Sequence, residues 1–186
     1  EVAGATQLIK GALRELQEEG LDVSMPPIGV MIELPAAVYL TKALCEMVDF
    51  VSVGSNDLTQ YLLAVDRNNP RVADLYSAFH PAVLNALQHV VTAAHAENKT
   101  VSICGEMAGD PGAALLLMAM GFDILSMNAS TLLKVKAVIR AVTLSSAQEL
   151  LAEVMQMNDA QHIRSSVDLA LYNAGVDRLL RSSRSN

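Results

Sequence analysis

The 186-residue sequence has no Trp, and aromatic residues make up only 4% of it. Its two cysteines, Cys45 and Cys104, are too few for a disulfide scaffold and lack metal-ligand spacing. They read as reduced thiols of a cytoplasmic protein. Basic residues are scarce, and the formal net charge is −7. That argues against nucleic acid or an anionic membrane as the main partner, while leaving room for a local basic pocket that takes a small phosphate. No apolar run reaches the roughly 18 residues of a membrane span. No Gly-x-Gly-x-x-Gly follows an apolar segment, so a dinucleotide-binding fold loses support. No signal peptide is visible, and since the first residue is Glu the sequence is expected to start inside a longer chain.

The rest is aliphatic. Hydrophobic residues are 52% of the chain, almost all Ala, Val, Leu, Ile and Met, the composition of helices packed on a buried parallel sheet. Residues 1–19 read as an amphipathic helix with Gly20 behind its end. The segment ending in Met25-Pro26-Pro27 is a connector. Four short apolar runs follow, IGVMIE (28–33), FVSVG (50–54), VSIC (101–104) and ILSM (124–127), and each leads into a helical segment. The first of those segments reads as one helix from Pro35 to about Met47. Ser55-Asn56-Asp57 reads as an N-cap cluster ahead of a helix over 58–65. Residues 66–70 form a loop, Pro81 opens a long helix, 105–110 form another loop, and a helix runs from Pro111 to near Gly121. Beyond a helix ending near Val142, residues 145–157 and 159–181 read as two more helices with a polar tail.

Strands alternating with helices imply right-handed parallel βαβ units. Each polar motif sits at the C-terminal end of a strand, where a (β/α)8 barrel builds its site, and a whole barrel takes about 250 residues. The expected fold is therefore α/β: the C-terminal half of a (β/α)8 TIM barrel, residues 1–142, with a helical extension over 143–186.

The strand ends carry the chemistry. Glu33 closes the first apolar run and Asp57 follows the second. Neighbouring parallel strands lie about 4.8 Å apart, so two rim carboxylates can share one cation. Two carboxylates completed by substrate oxygens and water are how Mg²⁺ is held. Asn56 adds an amide, and Arg67, past one short helix, can fold back as a bidentate phosphate clamp. Cys104 ends the third strand, where a thiol can give a proton or act as nucleophile. Each has a plainer reading: Asp57 a helix cap, Glu33 an ion-pair partner, Arg67 a solvated loop residue, Cys104 an inert thiol like Cys45. Glu106 and Asp110 read as loop caps or supporting groups. No pair of the four histidines has metal-ligand spacing.

GVMIELPAA (29–37), DFVSVGSNDLTQYLLAVDRNN (49–69), LYSAFHPAVL (75–84) and CGEMAGD (104–110) resemble enzyme I of the bacterial phosphoenolpyruvate-dependent phosphotransferase system. The helical tail is similar to its nitrogen-related paralogue. Pyruvate-phosphate dikinases and phosphoenolpyruvate synthases share part of the pattern. The resemblance implies Mg²⁺ on Glu33 and Asp57, substrate binding by Asn56, Asp57 and Arg67, and Cys104 as the acid that protonates the enolate of pyruvate. It implies phosphoryl transfer from phosphoenolpyruvate to a histidine on an N-terminal domain, then to an HPr-type phosphocarrier protein, by a homodimer. The phosphohistidine domain and the first four barrel units have no counterpart in the 186 residues, so the chain alone is expected to be inactive. A regulatory dimer scaffold is the alternative from another class.

Overall fold

The computed structural model describes residues 1–176. The chain runs through α1 (Val2–Glu18), β1 (Gly29–Ile32), α2 (Pro35–Tyr39), α3 (Thr41–Cys45), β2 (Phe50–Gly54), α4 (Ser55–Leu63), a 3₁₀ turn (Ala73–Leu75) and α5 (Pro81–Ala96). It continues with β3 (Thr100–Cys104), α6 (Glu106–Gly109), α7 (Pro111–Met120), β4 (Ile124–Ser126), α8 (Ala129–Ala141), α9 (Leu144–Val154) and α10 (Ala160–Asn173). The expected end of the last helix at 181 and the polar tail lie outside the described residues.

All three strand pairings are parallel, and the sheet order is β1-β2-β3-β4. Four parallel strand–helix units laid down in sequence order are what half of a (β/α)8 barrel contains. The register sorts the side chains onto two faces. Val51, Val53, Val101 and Ile103 are fully buried in one cluster with Leu84 and Leu87 of α5 and Leu115 and Leu116 of α7. The opposite face carries Met31, Ser52, Ser102 and Ile124 at one level and Gly54, Cys104 and Ser126 at the next. That is the face a closed barrel turns inward, and here Met31, Phe50 and Ile124 are exposed on it. The extension packs on the outer layer: Val154, Ile163, Val167 and Leu171 join the same core cluster. Among the described residues no helix is long and apolar enough to cross a membrane.

Two local departures have clear causes. The segment expected as one helix from Pro35 to Met47 is two, α2 and α3, broken at Leu40. At the break the Leu40 N–H turns to the Ala37 carbonyl at 3.1 Å in a tighter 3₁₀-type bond, and the Thr41 hydroxyl donates to the carbonyls of Ala37 (3.2 Å) and Val38 (2.8 Å). The loop over 105–110 also contains the single turn α6.

At the strand starts a clamp occurs twice. Asp49 accepts from the Ile28 N–H at 2.8 Å while its own N–H donates to the Ile28 carbonyl. Asp123 accepts from the Val101 N–H at 2.8 Å, and its N–H donates to the Val101 carbonyl. His95 Nε2 lies 3.1 Å from the same Asp123 oxygen. Burial pushes the Asp123 carboxyl up, but the Val101 N–H and His95 outweigh it and leave it below the usual carboxylate range. A carboxylate whose pKa is depressed by folding contributes stability above its unfolded pKa and loses it as pH falls through its folded value. Asp123→Ala is expected to cost about 1 kcal/mol at pH 7, as for a charge-assisted bond at a half-exposed site. Urea melts should show the gap to wild type closing in strongly acidic buffer; an equal gap at both pH values would rule the clamp out.

Candidate active site

Glu33 follows the last residue of β1, and the chain then turns through extended Leu34 into α2 with Pro35 at the first helical position. Its half-buried side chain leans across to the end of β2. A Cβ built on Gly54 would stand 2.9 Å from Glu33 Oε2, so glycine at 54 leaves the carboxylate its room. Among the described residues Glu33 makes no hydrogen bond and no ion pair.

The Ser55-Asn56-Asp57 cluster behaves differently from the cap expected of it. The helix starts at Ser55 itself, with Gly54 in the cap position and no side-chain cap bond. The three side chains are thereby free for other work. Ser55 Oγ donates to the Cys104 carbonyl at 2.7 Å. Asn56 Oδ1 accepts from the Glu106 N–H at 3.1 Å. Asp57 lies in the first turn of α4, where the helix dipole favours its charge. It caps nothing and has no hydrogen-bond or ion-pair partner among the described residues, so the plain reading of Asp57 as a helix cap fails.

Gly105 completes the join between the two loops. Its backbone has φ +107° and ψ −174°, a region that only glycine occupies without strain. A Cβ there would meet Ser55 Oγ at 2.4 Å and Asn56 Oδ1 at 3.0 Å. The ends of β2 and β3 are therefore interlocked through Ser55, Asn56, Gly105 and Glu106.

Arg67 lies in the loop after α4. Its N–H donates to Gln60 Oε1 at 3.3 Å, and its guanidinium has no hydrogen-bond or ion-pair partner among the described residues. Tyr76 links this loop to the site. Its hydroxyl donates to the Asn56 carbonyl at 3.3 Å and lies close to the hydroxyl of Thr59, which is buried without a hydrogen bond of good geometry. Burial pushes the Tyr76 phenol up; Thr59 and Arg67 pull it down, and Glu106 and Asp57 add to the rise. The same phenol thus senses Arg67, Asp57 and Glu106 together.

Cys104 is half-buried at the rim and lines a cavity of about 650 Å³ with Asn56, Glu106, Asp110, Asn128 and Thr131. Cys45 is also free but fully buried, and burial pushes its thiol up, so it is inert. None of the four histidines lines the cavity: His80 caps α5 through the Ala82 N–H, His95 meets Asp123, His89 lies tilted against Tyr39 and His162 lies beside Asp159.

Asn56 and Cys104 thus share one cavity, and Glu33 reaches Gly54, the register partner of Cys104, while Glu33, Asp57 and Arg67 do not themselves line the cavity. Tyr76, Asn128 and Arg164 have no marked role in the sequence reading, and Ser55 figures there only in the cap cluster; Ser55 and Tyr76 at least lie inside the motif-bearing segments. Among the described residues no three His, Cys, Asp or Glu side chains come together as a metal cluster. The two oxygen-only carboxylates, both unpaired and placed on adjacent strand ends, fit a hard cation that keeps water and substrate oxygens in its shell.

A barrel rim with unpaired carboxylates, an amide and a thiol on successive strand ends defines a class of binding domain. Residues 1–144 match the PEP-binding domain of the PEP-utilising enzymes, and the chain belongs to that family. It is 40% identical over 182 residues to the "Phosphoenolpyruvate-dependent phosphotransferase system" proteins of Salmonella typhimurium LT2 and Escherichia coli K12, covering 97% of this chain and 24% of each relative. It is 41% identical over 169 residues to phosphoenolpyruvate-protein phosphotransferase of Haemophilus influenzae, covering 90% of this chain and 29% of that one. The chain therefore spans about a quarter of the length of these relatives. The crystal structure of a citrate lyase from Burkholderia xenovorans LB400 aligns with a TM-score of 0.52 over 94% of this chain and 62% of its own, at 17% identity. That likeness concerns the fold alone.

Proposed function

We propose that the chain is the substrate-binding part of a phosphoenolpyruvate-protein phosphotransferase, with residues 1–142 as the half-barrel unit and 143–186 as its helical extension. The observation that carries this reading is that Glu33 beside Gly54, Asp57 in the first turn of α4 and the Arg67 guanidinium have no hydrogen-bond or ion-pair partner among the described residues. Charged groups without structural partners at the end of a rigid sheet are poised for a ligand.

Glu33 and Asp57 would hold Mg²⁺, which when bound supplies charge neutralisation to phosphate and carboxylate oxygens. Asn56 donates through its amide N–H to the phosphate, since its Oδ1 is engaged by the Glu106 N–H. Arg67 clamps the phosphate with its fork of N–H groups. Phosphoryl transfer demands placement and charge stabilisation more than covalent help. As the phosphate P–O bond breaks, the phosphoryl group goes to a histidine nitrogen on another domain and then to an HPr-type carrier. The electron pair left on the pyruvyl fragment forms an enolate, and the Cys104 thiol gives its proton to the enolate methylene carbon, producing pyruvate. The reading includes a cytoplasmic homodimer, supported by the open edges of β1 and β4.

Calorimetric titration of phosphoenolpyruvate into the chain tests this. Binding is expected with Mg²⁺ and lost in EDTA. Equal binding in both buffers, or none with Mg²⁺ at millimolar ligand, overturns the assignment of the cation and substrate groups.

A further inference from the structure

A residue bonded to the cavity wall lies outside the family match. Arg164 is on α10, beyond residue 144 where that match ends. Its Nη1 donates to Asp110 Oδ2 at 2.8 Å and its Nε to Asp168 Oδ1 at 3.0 Å. Its guanidinium carbon stands 4.9 Å from the ring centre of Phe79, which is buried. The side chain is thus held by two carboxylates and an aromatic face. The other oxygen of Asp110 caps α7, accepting from the N–H groups of Gly112 (2.8 Å) and Ala113 (2.9 Å).

Asp110 is also part of the cavity wall, with Cys104 and Glu106. An anion entering this cavity therefore meets two carboxylates. Glu106 is exposed and screened by water, whereas the Asp110 side chain is 31% exposed and its field is less screened. The arginine 2.8 Å away offsets that field, although it also pairs with the more exposed Asp168 at 3.0 Å. We infer that Arg164 is a positioning residue for the substrate cavity: it fixes the Asp110 cap and neutralises its charge, so that the rim accepts an anion bearing phosphate and carboxylate. The nature of that anion rests on the proposed function; the charge balance does not. By this route the helical extension, beyond residue 144, contributes to the site.

The test uses the two thiols of the full chain. Cys104 is alkylated with iodoacetate, which is anionic, and with iodoacetamide, which is neutral, and the ratio of the two rates reports the local field. Cys45, fully buried, serves as an internal control for unfolding. Arg164→Gln is expected to lower the ratio at Cys104 roughly threefold at low salt, the size of one added charge across such a cavity. Asp110→Asn added to that variant should restore the ratio. Asp110→Asn alone, which keeps the capping oxygen, should raise it above wild type, and Arg164→Lys should stay near wild type. A ratio unmoved in Arg164→Gln with Cys45 still protected, or no restoration in the double variant, overturns the inference. If Arg164→Gln exposes Cys45, the Asp110→Asn variant decides, and no rise there overturns it. Phosphoenolpyruvate plays no part in the assay. A shifted ratio beside a failed titration would sink the proposed function and leave this inference standing.

Discussion

Gly105→Ala is expected to unfold the rim. The new methyl group would lie 2.4 Å from Ser55 Oγ, on a backbone at φ +107° and ψ −174° that a side chain strongly disfavours. Relief requires the loop to swing away, which breaks the Ser55 bond to the Cys104 carbonyl and the Asn56 bond to the Glu106 N–H. Backbone strain and two lost hydrogen bonds, one half-buried and one exposed, together should cost about 3 kcal/mol in urea denaturation. Mg²⁺-dependent phosphoenolpyruvate binding should vanish with it. A second substitution separates the causes: Ser55→Gly in the Gly105→Ala background removes the clash and leaves the backbone strain, so it should recover only part of the loss. A cost below about 1 kcal/mol for Gly105→Ala would mean that the two loops are not interlocked through this residue.

Asp57→Ala should behave in the opposite way. Asp57 has no hydrogen bond or ion pair among the described residues and caps nothing, so the fold depends on it only through the helix dipole, worth under about 1 kcal/mol. Yet the proposed site loses one of its two cation-binding carboxylates. Phosphoenolpyruvate affinity in Mg²⁺ is expected to fall by more than about 100-fold, beyond the usual effect of disturbing a group that merely supports a metal ligand. Denaturation midpoint and calorimetric affinity, measured on the same preparation, check both halves. A large drop in stability with affinity retained would make Asp57 a structural residue. The contrast with Gly105 separates residues that hold the frame from those the frame holds out for a ligand.

The same distinction explains what was readable in advance. Strands were legible because continuous apolar runs of β-branched residues leave little else to form, and Glu33, Asp57 and Cys104 stood out because each interrupts or ends such a run. The ends of α1, α5 and α7 followed from Gly20, Pro81 and Gly121, whose backbone preferences act locally. What was missed depended on partners distant along the chain or on competition between bonds. Ser55 has all the chemistry of a cap, yet its hydroxyl goes to a carbonyl 49 residues away. Arg164 meets Asp110 across 54 residues and the pairing leaves no periodic trace. Tyr76 is one aromatic in an irregular loop until the fold brings it over Asn56. The break at Leu40 is a local tightening of the backbone, where the Thr41 hydroxyl joins N–H groups on the same carbonyls.

The fastening of the sheet alternates between its two ends. Asp49 ties β1 to β2, and Asp123 ties β3 to β4, both at the strand starts. Between β2 and β3 the shorter extra tie is at the other end, through Ser55 and the Cys104 carbonyl at 2.7 Å, beside a longer one from Ser102 Oγ to the Val51 carbonyl at 3.4 Å. The sheet is stitched as a zigzag. Asn56 and Cys104 therefore straddle a seam closed at the rim, and their spacing is set before any ligand arrives. Glu33 and Asp57 straddle a seam closed only at the far end, so beyond the ladder itself no side-chain hydrogen bond among the described residues fixes the gap between them. One half of the site is a fixed jaw and the other an adjustable one, and the width of the adjustable jaw is left to whatever the two carboxylates grip.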